Sequence, residues 1–157
     1  MTEQKTLHQA MLDAVSQTLE NMAFTEAKEN PDENFKPPED LMWAYLVVLD
    51  PIQGEIRLAL SESALIQLTC SIFGLEEAEV TFAHMNDILH ELLNTIAGLF
   101  MTNLLPENQP FKIGLPEHGK EQPPEIDADT ICWNLITSDE NPLQVYVNGI
   151  AFTKLNN

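Results

Sequence analysis

Apolar residues recur at three- and four-residue spacing along residues 83–105 until Pro106 ends the run, and this is the longest periodic segment of the chain. Each residue of a helix advances by about 100°. Leu89, Leu93, Ile96 and Phe100 therefore gather on one side and are expected to face a core. Asp87, Glu91 and Asn94 fall at relative angles of roughly 0°, 40° and −20° by the same rule, forming one polar stripe opposite the apolar one. Gly98 sits one turn further along that stripe. Glycine inside a helix costs about 1 kcal/mol relative to alanine, and here it would let a partner's backbone come close.

The flanking segments supply the layer such a helix needs. Residues 6–23 read as a second amphipathic helix, with Leu7, Ala10, Met11, Ala14, Val15, Thr18 and Met22 on one face. Residues 24–29 suit a short strand, and the proline- and acid-rich stretch 30–40 suits a loop. Residues 42–50 and 55–60 form a hairpin pattern about the turn Pro51-Ile52-Gln53-Gly54. Ser61 is placed to cap a helix over 62–73 that Gly74 closes. Residues 111–115 are a short strand candidate, 118–124 a polar loop, and 131–137 and 145–152 two strands about a turn at 139–142. The order is helix, strands, helix, long helix, strands, in two helix-then-strands halves. It predicts one α+β domain over residues 1–157, with a largely antiparallel β-sheet packed against long helices. The segment 143–152 (LQVYVNGIAF) is apolar, aromatic and uncharged, and reads as an exposed sheet edge through which two copies would pair as a homodimer.

Charge narrows the function. The chain of 157 residues carries 25 Asp and Glu against 7 Lys and Arg, a formal net charge of −18. Phosphate backbones and anionic membranes repel such a surface, so neither nucleic acid nor membrane is an expected partner. An apolar share of 44% is too high for a disordered acidic tail. No apolar run reaches membrane-spanning length, and the N-terminus lacks the pattern of a secretory signal. Cys70 and Cys132 stand apart without a CxxC and read as buried thiols of a reducing compartment, with a single bridge as the alternative. The expected location is the cytoplasm.

A polar stripe on an amphipathic helix is ordinarily just its solvated face. The wording of this stripe points further. Glu91-Leu92-Leu93-Asn94-Thr95-Ile96-Ala97-Gly98, with Asp87 four residues earlier, resembles the helix motif of the CheC/CheX/FliY family of chemotaxis phosphatases. Leu104-Leu105-Pro106, the strand candidate 111–115 and Leu19-Glu20-Asn21-Met22-Ala23-Phe24 are similar to CheX-like members. The first helix carries Asp13, Gln17 and Glu20 at the corresponding places and lacks Glu-x-x-Asn, so the resemblance is to a one-site, CheX-like member.

The resemblance implies a CheC-like fold and a phosphatase acting on the aspartyl phosphate of a CheY-type response regulator. It implies Glu91 and Asn94 as catalytic residues, Asp87 and Gly98 as binding residues, and no metal or cofactor held by this chain. Mg2+ is expected on the regulator instead. The alternatives are a non-catalytic module that binds a response regulator and a purely structural oligomerisation domain.

Other constellations are weaker. His90-Glu91-Leu92-Leu93-Asn94 is one residue from the zinc motif HExxH, but asparagine is a poor zinc ligand. His84 and His90 do not share a helix face and read as boundary residues. Trp43 and Trp133 read as structural, and Met101 as lying toward the polar side of the long helix. Cys70 has no basic or histidine neighbour to activate it.

Overall fold

A computed structural model describes residues 5–31, 39–119 and 122–156. Three helices, α1 (Leu7–Ala23), α2 (Glu62–Phe73) and α3 (Phe82–Leu104), meet the termini the sequence dictates. Thr6 caps α1 by accepting from the amide of Gln9 at 3.2 Å. Ser61 accepts from the amide of Ala64 at 3.1 Å, and Gly74, at φ 68°, closes α2 in the left-handed conformation glycine favours. At the start of α3 the capping is reciprocal: the amide of His84 donates to Thr81 Oγ1 at 3.2 Å, and the amide of Thr81 donates to His84 Nδ1 at 3.1 Å. Leu105 ends the helix just before Pro106.

The strands are β1 (Ala27–Glu29), β2 (Leu41–Asp50), β3 (Gly54–Ser61), β4 (Lys112–Ile113), β5 (Glu117–His118), β6 (Thr130–Thr137) and β7 (Pro142–Asn148). They form one antiparallel sheet in the order β1-β6-β7-β3-β2-β4, with β5 also on β2. Leu46 faces Ile56 across the first hairpin, Trp133 faces Val145 across the second, and Leu58 faces Val145 where the hairpins join. The seam between β3 and β7 relates two similar halves. Each half runs helix, edge strand, hairpin, helix, and each edge strand crosses over: β1 of the first half pairs with the hairpin of the second, and β4 and β5 of the second pair with the hairpin of the first.

The core lies between the sheet and the helices. Leu89, Leu93, Ile96 and Phe100 are all buried in it, as their spacing predicts, together with Met11, Val15 and Leu65. Met101 is also fully buried, so it is core and not part of the polar side. Leu7, Ala10, Met11, Ala14, Val15, Thr18 and Leu19 of α1 are buried, and the Thr18 hydroxyl is satisfied by the carbonyl of Ala14 at 2.7 Å.

The C-terminal segment departs from its sequence reading. Val145, Tyr146 and Val147 belong to β7, which lies between β6 and β3 and is bonded on both sides, so 143–152 is not an edge. Its last part is not strand either: Gly149 turns the chain at φ 144°, and Ile150–Lys154 forms a short helix, α4. Phe152 of α4 is buried against Phe100, with ring centroids 5.9 Å apart. It also lies against Gly54, where an added Cβ would stand 2.5 Å from the Phe152 ring, so only glycine fits. The expectation of a homodimer through this segment therefore loses its basis. Of the loop read over 30–40, residues 32–38 lie outside the described residues.

Candidate active site on helix α3

The site is built where the α3 stripe meets the chain that follows α3. Residues 112–119 run along the outer edge of β2 in two short ladders, Val48 opposite Ile113 and Tyr45 opposite Glu117. The amide of Gly114 donates to the carbonyl of Val47 at 2.7 Å, and that of Gly119 to the carbonyl of Trp43 at 2.8 Å. Leu115 and Pro116, between the ladders, stand off the sheet and face the stripe. The result is a groove of about 380 Å³ walled by Asp87, His90, Glu91 and Asn94 on one side and by Leu115 and Pro116 on the other.

Asp87, Glu91 and Asn94 are exposed, as the helix geometry predicts. None of the three makes a side-chain hydrogen bond or ion pair with a described residue, so two carboxylates and an amide are presented to whatever enters. Leu115 is 87% exposed and gives the opposite wall an apolar surface. Gly98 continues the stripe, and a Cβ added there would meet nothing within 4 Å. Packing within this chain therefore does not require glycine at that position.

His84 and His90 are both half-buried, as boundary residues are, and they turn to different neighbours. His84 caps its own helix and lies against Phe73, ring centroids 5.7 Å apart. His90 instead stacks on His118 of β5, at 6.1 Å and 24° between planes. Asn86, one turn before His90, donates from Nδ2 to His118 Nδ1 at 3.3 Å. Burial holds the His90 imidazole below its usual pKa, the neighbouring His118 adds to that, and Asp87 opposes both. Nothing in the spacing of residues 90 and 118 signals this meeting, because a two-residue edge strand brings it about.

Beyond Pro116 a second groove of about 730 Å³ opens, floored by Trp43 and Tyr45 and sharing His90 and Pro116 with the first. Trp43 is thus a groove residue as well as a strand residue, whereas Trp133 is buried and donates to His8 Nδ1 at 3.1 Å. The Tyr45 hydroxyl donates to Glu117 Oε2 at 2.6 Å, and that carboxylate raises the phenol's pKa. Neither groove is lined by a described lysine or arginine. Among the described residues no group of three or more His, Cys, Asp or Glu is arranged to hold a metal ion. Cys70 and Cys132 are free and half-buried, and burial pushes the Cys132 thiol up to about 11, which keeps it protonated and unreactive. No described helix is long and apolar enough to cross a membrane.

Two helix-and-hairpin halves sharing one antiparallel sheet make this a CheC-like fold. CheX of Vibrio vulnificus superposes with a TM-score of 0.73 at 14% identity, over 94% of this chain and 99% of that one. CheX of Desulfovibrio desulfuricans gives 0.71 at 13% identity, over 90% and 97% of the two chains. The CheX–CheY–BeF3–Mg2+ complex of Borrelia burgdorferi gives 0.69 at 16%, over 90% and 96%. No curated protein matches by sequence. The family model described as chemotaxis phosphatase CheX matches residues 44–136, which include all of α2 and α3, the first hairpin from Ala44 onward and most of β6, but not β7. The chain belongs to the CheX family of chemotaxis phosphatases.

Proposed function

We propose that this chain accelerates hydrolysis of the aspartyl phosphate of a CheY-type response regulator, with Glu91 and Asn94 as its catalytic pair and Asp87 and Gly98 as docking residues. The observation that carries the reading is that Asp87, Glu91 and Asn94 share one exposed groove while bonding to nothing described in their own chain. Side chains that a helix gathers on one face and leaves unpaired have their hydrogen-bonding capacity open to a partner.

The chemistry suits these residue types. Phosphoryl transfer asks mainly for positioning and for stabilisation of charge. The relative from Borrelia burgdorferi was solved with CheY, BeF3 and Mg2+. On this reading the regulator brings the cation and the phosphorylated aspartate, and the phosphatase adds what aims the water. The Asn94 carboxamide can donate to or accept from a water in line with phosphorus without adding charge. A carboxylate in its place would face the phosphoryl oxygens at short range. Glu91, one turn earlier, is suited to pair with a lysine of the regulator and fix the register of the two surfaces. Asp87 extends that contact by another turn, and Gly98 leaves room for the partner's backbone.

The test is incubation with phosphorylated CheY-type regulators in the presence of Mg2+, following loss of phosphate against the spontaneous rate. Acceleration that disappears in Asn94→Ala, with binding to a BeF3-loaded regulator retained, supports the reading. Binding without acceleration would instead make the chain a non-catalytic regulator-binding module.

A further inference from the structure

The segment that forms the far wall of the groove is held in place unevenly. On its sheet side it is held by the ladders of β4 and β5 on β2 and, beside them, by Gly114 to Val47, by Gly119 to Trp43 and by the Glu117 carboxylate to Tyr45. On its helix side the hydrogen bond and ring contacts of β5 with α3 among the described residues run through His118. That imidazole accepts from Asn86 at 3.3 Å, stacks on His90 at 6.1 Å and receives Phe82 edge-on at 6.3 Å. Leu115 and Pro116 lie just upstream, between the two sheet ladders, with no ladder bond of their own. The distance between the Leu115–Pro116 wall and the α3 stripe is therefore set by how β5 is seated on α3.

We propose that Asn86 and His118 are positioning residues for the phosphatase groove: together they clamp β5 onto α3 and so fix the width of the cleft into which the phosphorylated regulator docks. The inference rests on the function proposed above and deepens it. Neither residue lines the groove that holds Asn94. They act through Leu115 and Pro116, whose exposed surface meets the partner. Releasing the clamp leaves α3 and its stripe intact, because ten residues of α3 remain buried in the core. The chemical step at Asn94 is then preserved, and the encounter that precedes it is weakened.

The experiment is initial-rate phosphatase kinetics with a phosphorylated CheY-type regulator, paired with titration of a BeF3-loaded regulator. His118→Ala is expected to raise KM and the dissociation constant about tenfold, the worth of one hydrogen bond and a ring contact, with kcat within about twofold of wild type. His118→Phe keeps the ring contacts and loses the hydrogen bond, so it should recover part of the loss, leaving about a threefold effect. Asn86→Ala should match His118→Phe, and combining the two should add little, since both remove the same bond. Wild-type KM and affinity in His118→Ala, a fall in kcat at constant KM, or no recovery in His118→Phe would each overturn the clamp. The titration keeps this separate from the catalytic reading. If Asn94→Ala hydrolyses at the wild-type rate, that reading fails, and the clamp still stands or falls on affinity.

Discussion

Helices α1 and α3 occupy equivalent places in the two halves of the molecule, both start at a threonine cap, and both carry an acidic stripe, yet the aspartates that open the two stripes, Asp13 and Asp87, differ in what their own chain offers them. On α1 the Asp13 carboxylate is 2.7 Å from Lys5 Nζ and accepts from Gln9 Nε2 at 2.7 Å. The hydrogen bond from Lys5 holds Asp13 below the usual carboxylate range. On α3, Asp87, Glu91 and Asn94 have no such partner, and a wall of Leu115 and Pro116 stands over them. An acid already neutralised by its own chain contributes to the fold. An acid left unpaired in a groove is available to another molecule. The two halves share a scaffold, and what separates them is the pairing of Asp13 on α1 and the groove that Leu115 and Pro116 build over the α3 stripe.

The comparison can be tested by substitutions, the largest effect first. Asn94→Ala should slow dephosphorylation by about 10²-fold or more, as expected for a group that aligns a reacting water. Asn94→Asp, which adds charge beside the phosphoryl group, should be at least as harmful. Glu91→Ala should weaken complex formation as well as rate, by about tenfold in affinity for a lost charge-assisted bond; this is read by titration with BeF3-loaded regulator. Gly98→Ala should stabilise the fold by up to about 1 kcal/mol in denaturant melts, since the added Cβ meets nothing within 4 Å, and, if Gly98 docks the regulator as proposed, should raise KM.

The smallest effect belongs to α1. Asp13→Asn should cost no more than about 1 kcal/mol, the range for a screened surface pair, and leave KM and kcat unchanged. Because the folded-state pKa of Asp13 is lowered, the pair's contribution is fully present above the ordinary value of 3.8 and is lost as pH falls through the folded value. Urea melts of wild type and Asp13→Asn should therefore converge in acid.

Much of this molecule was legible in local sequence. The start and end of α2, the length of α3, the hairpin from Leu41 to Ser61 and the exposure of Asp87, Glu91 and Asn94 follow from caps, prolines and periodicity. What escaped was non-local or punctuated by one residue. The apolar run from Leu143 to Phe152 looks continuous, but Gly149 breaks it into a central strand and a helix. β5 is two residues long, too short to leave a periodic signal, and so its pairing with β2 and the contact of His118 with Asn86 and His90 were not readable. Met101 is core because the buried face of α3 is wider than a narrow stripe: α1 and α2 pack on it as well as the sheet.

The crossing of the edge strands has a consequence for how the molecule comes apart. Since β1 closes the hairpin of the later half and β4 and β5 close that of the earlier one, neither half can complete its own sheet. Unfolding the first half strips an edge from the second, and the reverse holds equally. The two are therefore expected to melt as one unit instead of in sequence, and the groove to vanish with the global transition, without a stage in which the half that carries α3 survives alone.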